Sequence, residues 1–236
     1  MIKKYIFSLF VVSFLSITNA WGATLYFDDS VTGDQDWGNM GNWWTDNIST
    51  IQAGSLPSVS DDVVIKSIIS TNSGAPISVH SIIINDGFGI SGISITVVNG
   101  AIFNGSSTHG GTITGDVTFN GSASNNGTIT GGVTFNGSGG NMGIILGLAT
   151  FNGTSINDGT VTNAIFNFNS SNGSSMNYTS TITGGSATFN GSATNWSPIT
   201  NGTFNNNSKN YSDVTNGTFN DNSSNSPKPG YGPGDG

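Results

Sequence analysis

The chain lacks cysteine, arginine and glutamate altogether, and its 236 residues carry only 5 lysines against 13 aspartates. Without thiols, disulfide scaffolds, cysteine zinc sites and thiol catalysis are excluded. Only Lys66, Lys209 and Lys228 lie outside the first few residues, so there is no positive footprint for nucleic acid. Charged residues make up 8% of the chain, about a third of the usual share. The Ala, Leu, Glu, Lys and Arg vocabulary of helical bundles is scarce with them. What fills the space is Gly, Ser, Asn and Thr, which together supply 127 residues.

The N-terminus has the form of a secretory signal peptide over residues 1–20. Lys3 and Lys4 precede an apolar run from Tyr5 to Ile17, and Thr18-Asn19-Ala20 forms a small-residue exit. The run is too short for a bilayer, which needs about twenty apolar residues. Removal after Ala20 lowers the formal net charge from −8 to −10, because Lys3 and Lys4 leave with it. The expected location is therefore extracellular or at the cell surface. With no disulfides in that compartment, stability has to come from another device.

That device is a repeat. Phe103, Phe119, Phe135 and Phe151 each open a Phe-Asn-Gly-Ser or Phe-Asn-Gly-Thr tetrad, at 16-residue intervals. The series continues at Phe166, Phe189, Phe204 and Phe219, with one 23-residue unit that carries about seven extra residues around Gly173 to Thr179. Each unit, such as NGSASNNGTITGGVTF over 120–135, holds two short alternating runs joined by Gly or Asn-Gly corners. Alternation with period two means strand, and glycine supplies the tight corners. A unit this small buries its apolar face only by stacking on copies of itself. The expected fold is an all-β parallel β-solenoid of about 15–16-residue coils with an irregular N-terminal cap segment.

Stacking predicts columns of like residues. Phe119, Phe135 and Phe151 lie in an interior aromatic column, and Ile113 and Ile129 lead an aliphatic one. Val117, Val133, Ala149, Ala164 and Ala187 fill a third. Asn125, Asn141 and Asn157 form a corner ladder with Asn195 and Asn210, and His109 takes the same slot. About seven rungs at roughly 4.8 Å give a rod near 35 Å from the regular repeats. The organisation expected is a cap with irregular first coils over 21–88, repeats over 89–222, and a Pro/Gly-rich tail or linker over 223–236.

Before the repeats come Trp37 with Asn42-Trp43-Trp44, then Pro57, then Asp61-Asp62-Val63-Val64-Ile65. This pattern resembles the opening of bacterial secreted β-helical and autotransporter-passenger-like proteins. The 16-residue unit, NGSxxNxGTITGxxTF, is similar to repeats in bacterial surface proteins. The resemblance implies an adhesin-like module in which Trp37, Trp43 and Trp44 pack over the open end of the rod.

Catalysis finds little support in the residues. A lyase needs a basic group beside the scissile position, yet there is no Arg, and Lys66 and Lys209 are far apart along the rod. A hydrolase needs a carboxylate pair, whereas Asp116, Asp158, Asp213 and Asp221 fall in different slots. We therefore expect no enzyme and no cofactor. Asp28, Asp29, Asp34 and Asp36 form an oxygen-rich loop that would suit Ca²⁺, although their spacing fits no known Ca²⁺ loop and a solvated loop explains them.

A binding surface is the stronger expectation. Outward Thr pairs at Thr112/Thr114, Thr128/Thr130, Thr160/Thr162 and Thr181/Thr183 form one array, interrupted by Ile144 and Leu146. The candidate binding face is the column Thr118, Thr134, Thr150, Thr188, Thr203 and Thr218, beside a column of Asn. A secreted, non-catalytic adhesin-like or structural rod follows, with a glycan or protein as its surface ligand. Alternatives are an ice or glycan binder, the latter through Trp43, Trp44 or Trp196, and a functional-amyloid-like fibre subunit. The expected state is a monomer, with fibre assembly as the other possibility.

Overall fold

The structure, a computed structural model, describes residues 22–174 and 180–226. The signal segment 1–20 and the Pro/Gly-rich stretch from 227 onward lie outside the described residues. The chain is a parallel β-solenoid of about ten turns, with no α-helix and one 3-10 turn at Met40–Asn42 among the described residues.

Its spine is a long parallel sheet running from Thr24–Phe27 to Val214–Phe219. The rows fall in register, so that Phe103, Phe119, Phe135, Phe151, Phe166, Phe189, Phe204 and Phe219 stand one above another. Phe27, Ile65 and Ile84 head the same column at steps of 38, 19 and 19 residues. The rod therefore begins three rungs before the regular repeat, and ten turns at about 4.8 Å make it roughly 50 Å long.

From Phe119 onward the ring centroids are 4.7–4.9 Å apart and adjacent planes lie within 9° of parallel. That spacing is the strand spacing itself, since each ring inherits its position from the backbone rung that carries it. Every Phe from Phe103 to Phe204 in this column is fully buried. Each contributes roughly 1.5–3 kcal/mol by leaving water. Beside the rings run Val117, Val133, Ala149, Ala164 and Ala187, small enough to leave room for them.

A second face stacks Ile77, Ile95, Ile113, Ile129, Ile145, Val161 and Ile182. At the corner, Ile90 and His109, on longer strands, align with Asn125, Asn141, Asn157, Asn172, Asn195, Asn210 and Asn225 on two-residue strands. Each buried Asn donates its Nδ2 to the Oδ1 of the next Asn toward the C-terminus, at 2.7–3.0 Å. Asn125 Oδ1 and Asn141 Oδ1 also accept from the N–H of Gly127 and Gly143, so one side chain satisfies both the corner and its neighbour.

Asn172 is level with Asn157 and Asn195, and Thr181 is level with Thr160. The register thus holds at Asn172 and again at Thr181; of the sequence between them, 175–179 lie outside the described residues. The corner ladder in turn runs past 222, because Ser224–Asn225 still pairs with Lys209–Asn210.

At the N-terminal end, Trp43–Trp44 pairs antiparallel with Thr24–Phe27, on the edge that the parallel neighbour leaves open. The Trp43 ring meets Phe27 edge-on at 5.1 Å and Trp37 at 4.6 Å, and its Nε1 donates to the Trp37 carbonyl at 2.8 Å. The first ring of the Phe column is thereby covered and a sheet edge is closed.

The stacking makes stability testable at two positions. Phe135→Ala leaves a void between two rings and should cost about 3–5 kcal/mol in denaturant unfolding. Phe168 sits at φ +61°, in the slot that Gly153 and Gly191 fill on the adjacent coils at +71° and +69°. A side chain there costs roughly 1–2 kcal/mol, partly offset by the looser unfolded chain that glycine brings. Phe168→Gly should therefore raise stability by about 1 kcal/mol in the same assay.

Candidate binding faces

The outward side of the long sheet carries the Thr column. Thr118, Thr134 and Thr150 are in direct register, and Thr188, Thr203 and Thr218 are likewise. Between the two runs stands Ile165, level with both Thr150 and Thr188. Toward the N-terminus the same column continues as Ile102, Ile83, Val64 and Tyr26. The polar array is therefore two Thr triplets in an otherwise apolar column. Ile165 escapes a motif search because its coil has 15 residues and no Thr-Phe pair.

Beside the Thr column runs a second ladder, from Asn104 through Asn120, Asn136, Asn152, Asn167, Asn190 and Asn205 to Asn220. Here each Nδ2 donates toward the N-terminus, at 2.8–3.3 Å, opposite in sense to the buried ladder. A solvent-facing amide held at both ends has little rotational freedom, so this face presents fixed donors and acceptors.

The acidic loop does not converge on a point. Asp34 accepts from Asn42 Nδ2 at 2.7 Å, and Asn42 with Asn39 holds its carboxyl down to about 2. Asp36 accepts from the N–H of Ser73 and Gly38, and Asp28 from Ser49 and Lys66. Asp29 gives its carbonyl to the turn at Thr32 and Gly33. Among the described residues no group of three or more His, Cys, Asp or Glu side chains could hold a metal ion. The loop is a set of hydrogen-bonded turns that ties the cap to the first coils.

Nor do Trp43 and Trp44 offer a sugar platform, since both are buried and their indole N–H groups donate to Trp37 and Asp28 carbonyls. Trp196 is half-buried and stacks on the half-buried Tyr211, with centroids 4.2 Å apart. Asp116, Asp158, Asp213 and Asp221 occupy four different positions within their coils, as their spacing suggests.

One coil gathers four exposed apolar side chains. Met142, Ile144, Leu146 and Leu148 all point outward and are 61%, 43%, 55% and 49% exposed. Their register neighbours are mostly Thr or Asn. At the corner of this coil opens a shallow groove of about 570 Å³, lined by Asn126, Met142 and Asp158 on one side and Thr128, Ile144 and Thr160 on the other. The Oδ1 of Asp158 is buried without a hydrogen-bond partner, and burial pushes its carboxyl above the usual range.

No protein-family model, curated protein or solved structure matches this chain. Site and function thus rest on its own geometry.

His109 heads the buried Asn ladder, level with Asn125 and 5.7 Å from the Phe103 ring. Burial pushes its imidazole down from 6.5 to about 4. Between those values the unfolded chain binds the extra proton and the folded chain does not. Stability should fall as pH drops from about 6.5 to 4, by on the order of 3 kcal/mol. His109→Asn adds a rung whose amide donates to Asn125 Oδ1, and it should remove that slope. Chemical denaturation of both proteins between pH 4 and 7 measures it.

Proposed function

We propose that the chain is a secreted, non-catalytic rod that acts at the cell surface as an adhesin-like or structural module. The observation carrying this reading is the paired Asn ladders. They run along a close-packed Phe stack and hold an external polar face at fixed spacing over many coils. A rod built this way transmits position and presents a repeated surface. Catalysis would draw on clustered ionisable groups, whereas the repeat carboxylates here are scattered over different positions.

The signal-like N-terminus supports export, and the tetrad repeats with their tryptophan-containing lead support a likeness to bacterial surface proteins. No described helix is long and apolar enough to cross a membrane. An ice-binding reading draws on the Thr columns, and Ile144, Leu146 and Ile165 weigh against it by interrupting a flat Thr lattice. A fibre reading draws on the cross-strand ladders. The antiparallel Trp43–Trp44 strand weighs against it by occupying one stacking edge.

Sedimentation of the full chain without its signal segment should give an elongated monomer with a β-rich, cooperative circular dichroism melt. Inert beads coated with it should attach to cell surfaces more than beads coated with the heat-unfolded chain. Concentration-dependent growth would move the assignment to a fibre subunit. Equal attachment by folded and unfolded chains would overturn the adhesive role.

A further inference from the structure

We propose that Asn99 is a site of spontaneous covalent modification, deamidation through a cyclic imide with Gly100, and that the exposed Asn ladder shields the repeats from the same reaction. This goes beyond the surface-rod reading and does not depend on it. The chain holds ten Asn-Gly pairs, and Asn99-Gly100 is the first of them. In such a pair the glycine nitrogen, with no side chain beside it, gives its proton to water and attacks the Asn Cγ. The new N–Cγ bond closes the imide as the Cγ–Nδ2 bond breaks, and the amide nitrogen takes up a proton and leaves as ammonia. Water then opens the ring at either carbonyl, which gives aspartate or isoaspartate. Water is the only co-reactant. The fold controls two requirements: a side-chain amide free to turn toward the backbone, and a glycine N–H without an acceptor.

Asn99 meets both. It is exposed at the bend between the strands Gly89–Val97 and Ala101–Phe103, and neither its side chain nor the Gly100 N–H is hydrogen-bonded to a described residue. Gly100 stands at φ +93°, in the region that glycine enters without strain. The other pairs each fail a requirement. Asn126 is exposed with an unheld side chain, but the Gly127 N–H donates to Asn125 Oδ1 at 3.1 Å. At Asn104 the Gly105 N–H is free, yet the Asn104 Oδ1 accepts from Asn120 at 3.0 Å. Asn120, Asn136, Asn152 and Asn190 are held at both ends, each donating to one ladder neighbour and accepting from the next. Asn172 is buried in the inner ladder, and the Gly173 N–H donates to the Asn157 carbonyl. Asn201 and Asn216 hold each other at 3.0 Å.

The exposed ladder thus has a chemical role beside its mechanical one. A ladder Asn breaks one or two hydrogen bonds before its Cγ can turn toward the following nitrogen. Its aspartate product would also lose the donor on which the next amide depends. At Asn99 nothing has to break first, and the damage falls on a join in the rod. The Asn99 N–H donates to the His80 carbonyl at 2.7 Å, and the Gly100 carbonyl accepts from Ile82 at 3.3 Å. Isoaspartate lengthens the main chain by a methylene between these two bonds. Modification therefore loosens the contact between the irregular first coils and the regular repeats, and leaves the repeats themselves intact.

The test is incubation of the full chain without its signal segment in mildly alkaline buffer, followed over time by peptide mass mapping that separates aspartate from isoaspartate. In the folded chain Asn99 should convert about tenfold faster than any other Asn-Gly pair, the scale of one hydrogen bond. In denaturant the ten rates should draw together, because the fold and not the local sequence sets the difference. Asn136→Ala removes the donor to Asn120 Oδ1 and the acceptor of Asn152 Nδ2. With its melting temperature checked, it should speed conversion at Asn120 and Asn152 about fivefold and leave Asn99 unchanged. Asn99 converting no faster than Asn120 and Asn152 in the folded wild-type chain would overturn the site. So would a lead for Asn99 that persists undiminished in denaturant. Unaltered rates at Asn120 and Asn152 in Asn136→Ala would overturn the shielding role of the ladder.

Discussion

Parallel stacking at one residue register forces every side chain to lie about 4.8 Å from its own counterpart. That constraint selects residues that tolerate themselves as neighbours. Phe stacks on Phe, Ile packs on Ile, and Asn donates to Asn. A charge does not tolerate itself: two like charges at this distance repel by about 0.9 kcal/mol even in bulk water, and more where half-buried. The penalty recurs at every rung. The composition follows from this, with Thr, Asn, Ser and Gly doing outside what charged residues do on an ordinary surface. In the column beyond the Phe rings, charge occurs only at the first two rungs, and there Asp28 and Lys66 are opposite in sign and 3.4 Å apart.

The regular part of the rod was readable because identical neighbours leave a period in the sequence. Phe103 to Phe219, Ile113 to Ile182 and most of the corner Asn ladder were visible as spacing alone. What escaped was register carried by the backbone without identity of residue. Phe27, Ile65 and Ile84 continue the aromatic column after steps of 38 and 19 residues, and two of the three are not aromatic. Asn172 was hidden by the insertion that follows it, and Asn225 by the Pro-rich sequence beyond.

The candidate sites divide in the same way. The Thr triplets were legible, but Ile165 was not, since its coil carries Ile-Phe where the motif has Thr-Phe. The Asp28–Asp36 loop read as a cluster because its carboxylates are close in sequence, yet each turns to a different hydrogen-bond partner. The groove was invisible for the opposite reason. Its lining comes from four successive coils, which only the stacked geometry brings side by side.

The two Asn ladders point in opposite directions along the rod. Each is a row of aligned amide dipoles, comparable in kind to the peptide row of an α-helix, whose dipoles add along its axis. Here the buried row and the exposed row oppose each other, so lengthening the rod by one coil adds a nearly cancelling pair. Coil number is thereby released from electrostatics. Whole 15- or 16-residue units can be gained or lost by duplication and deletion of the gene segment that encodes them. The length of the rod is then a trait that varies freely while its cross-section stays the same.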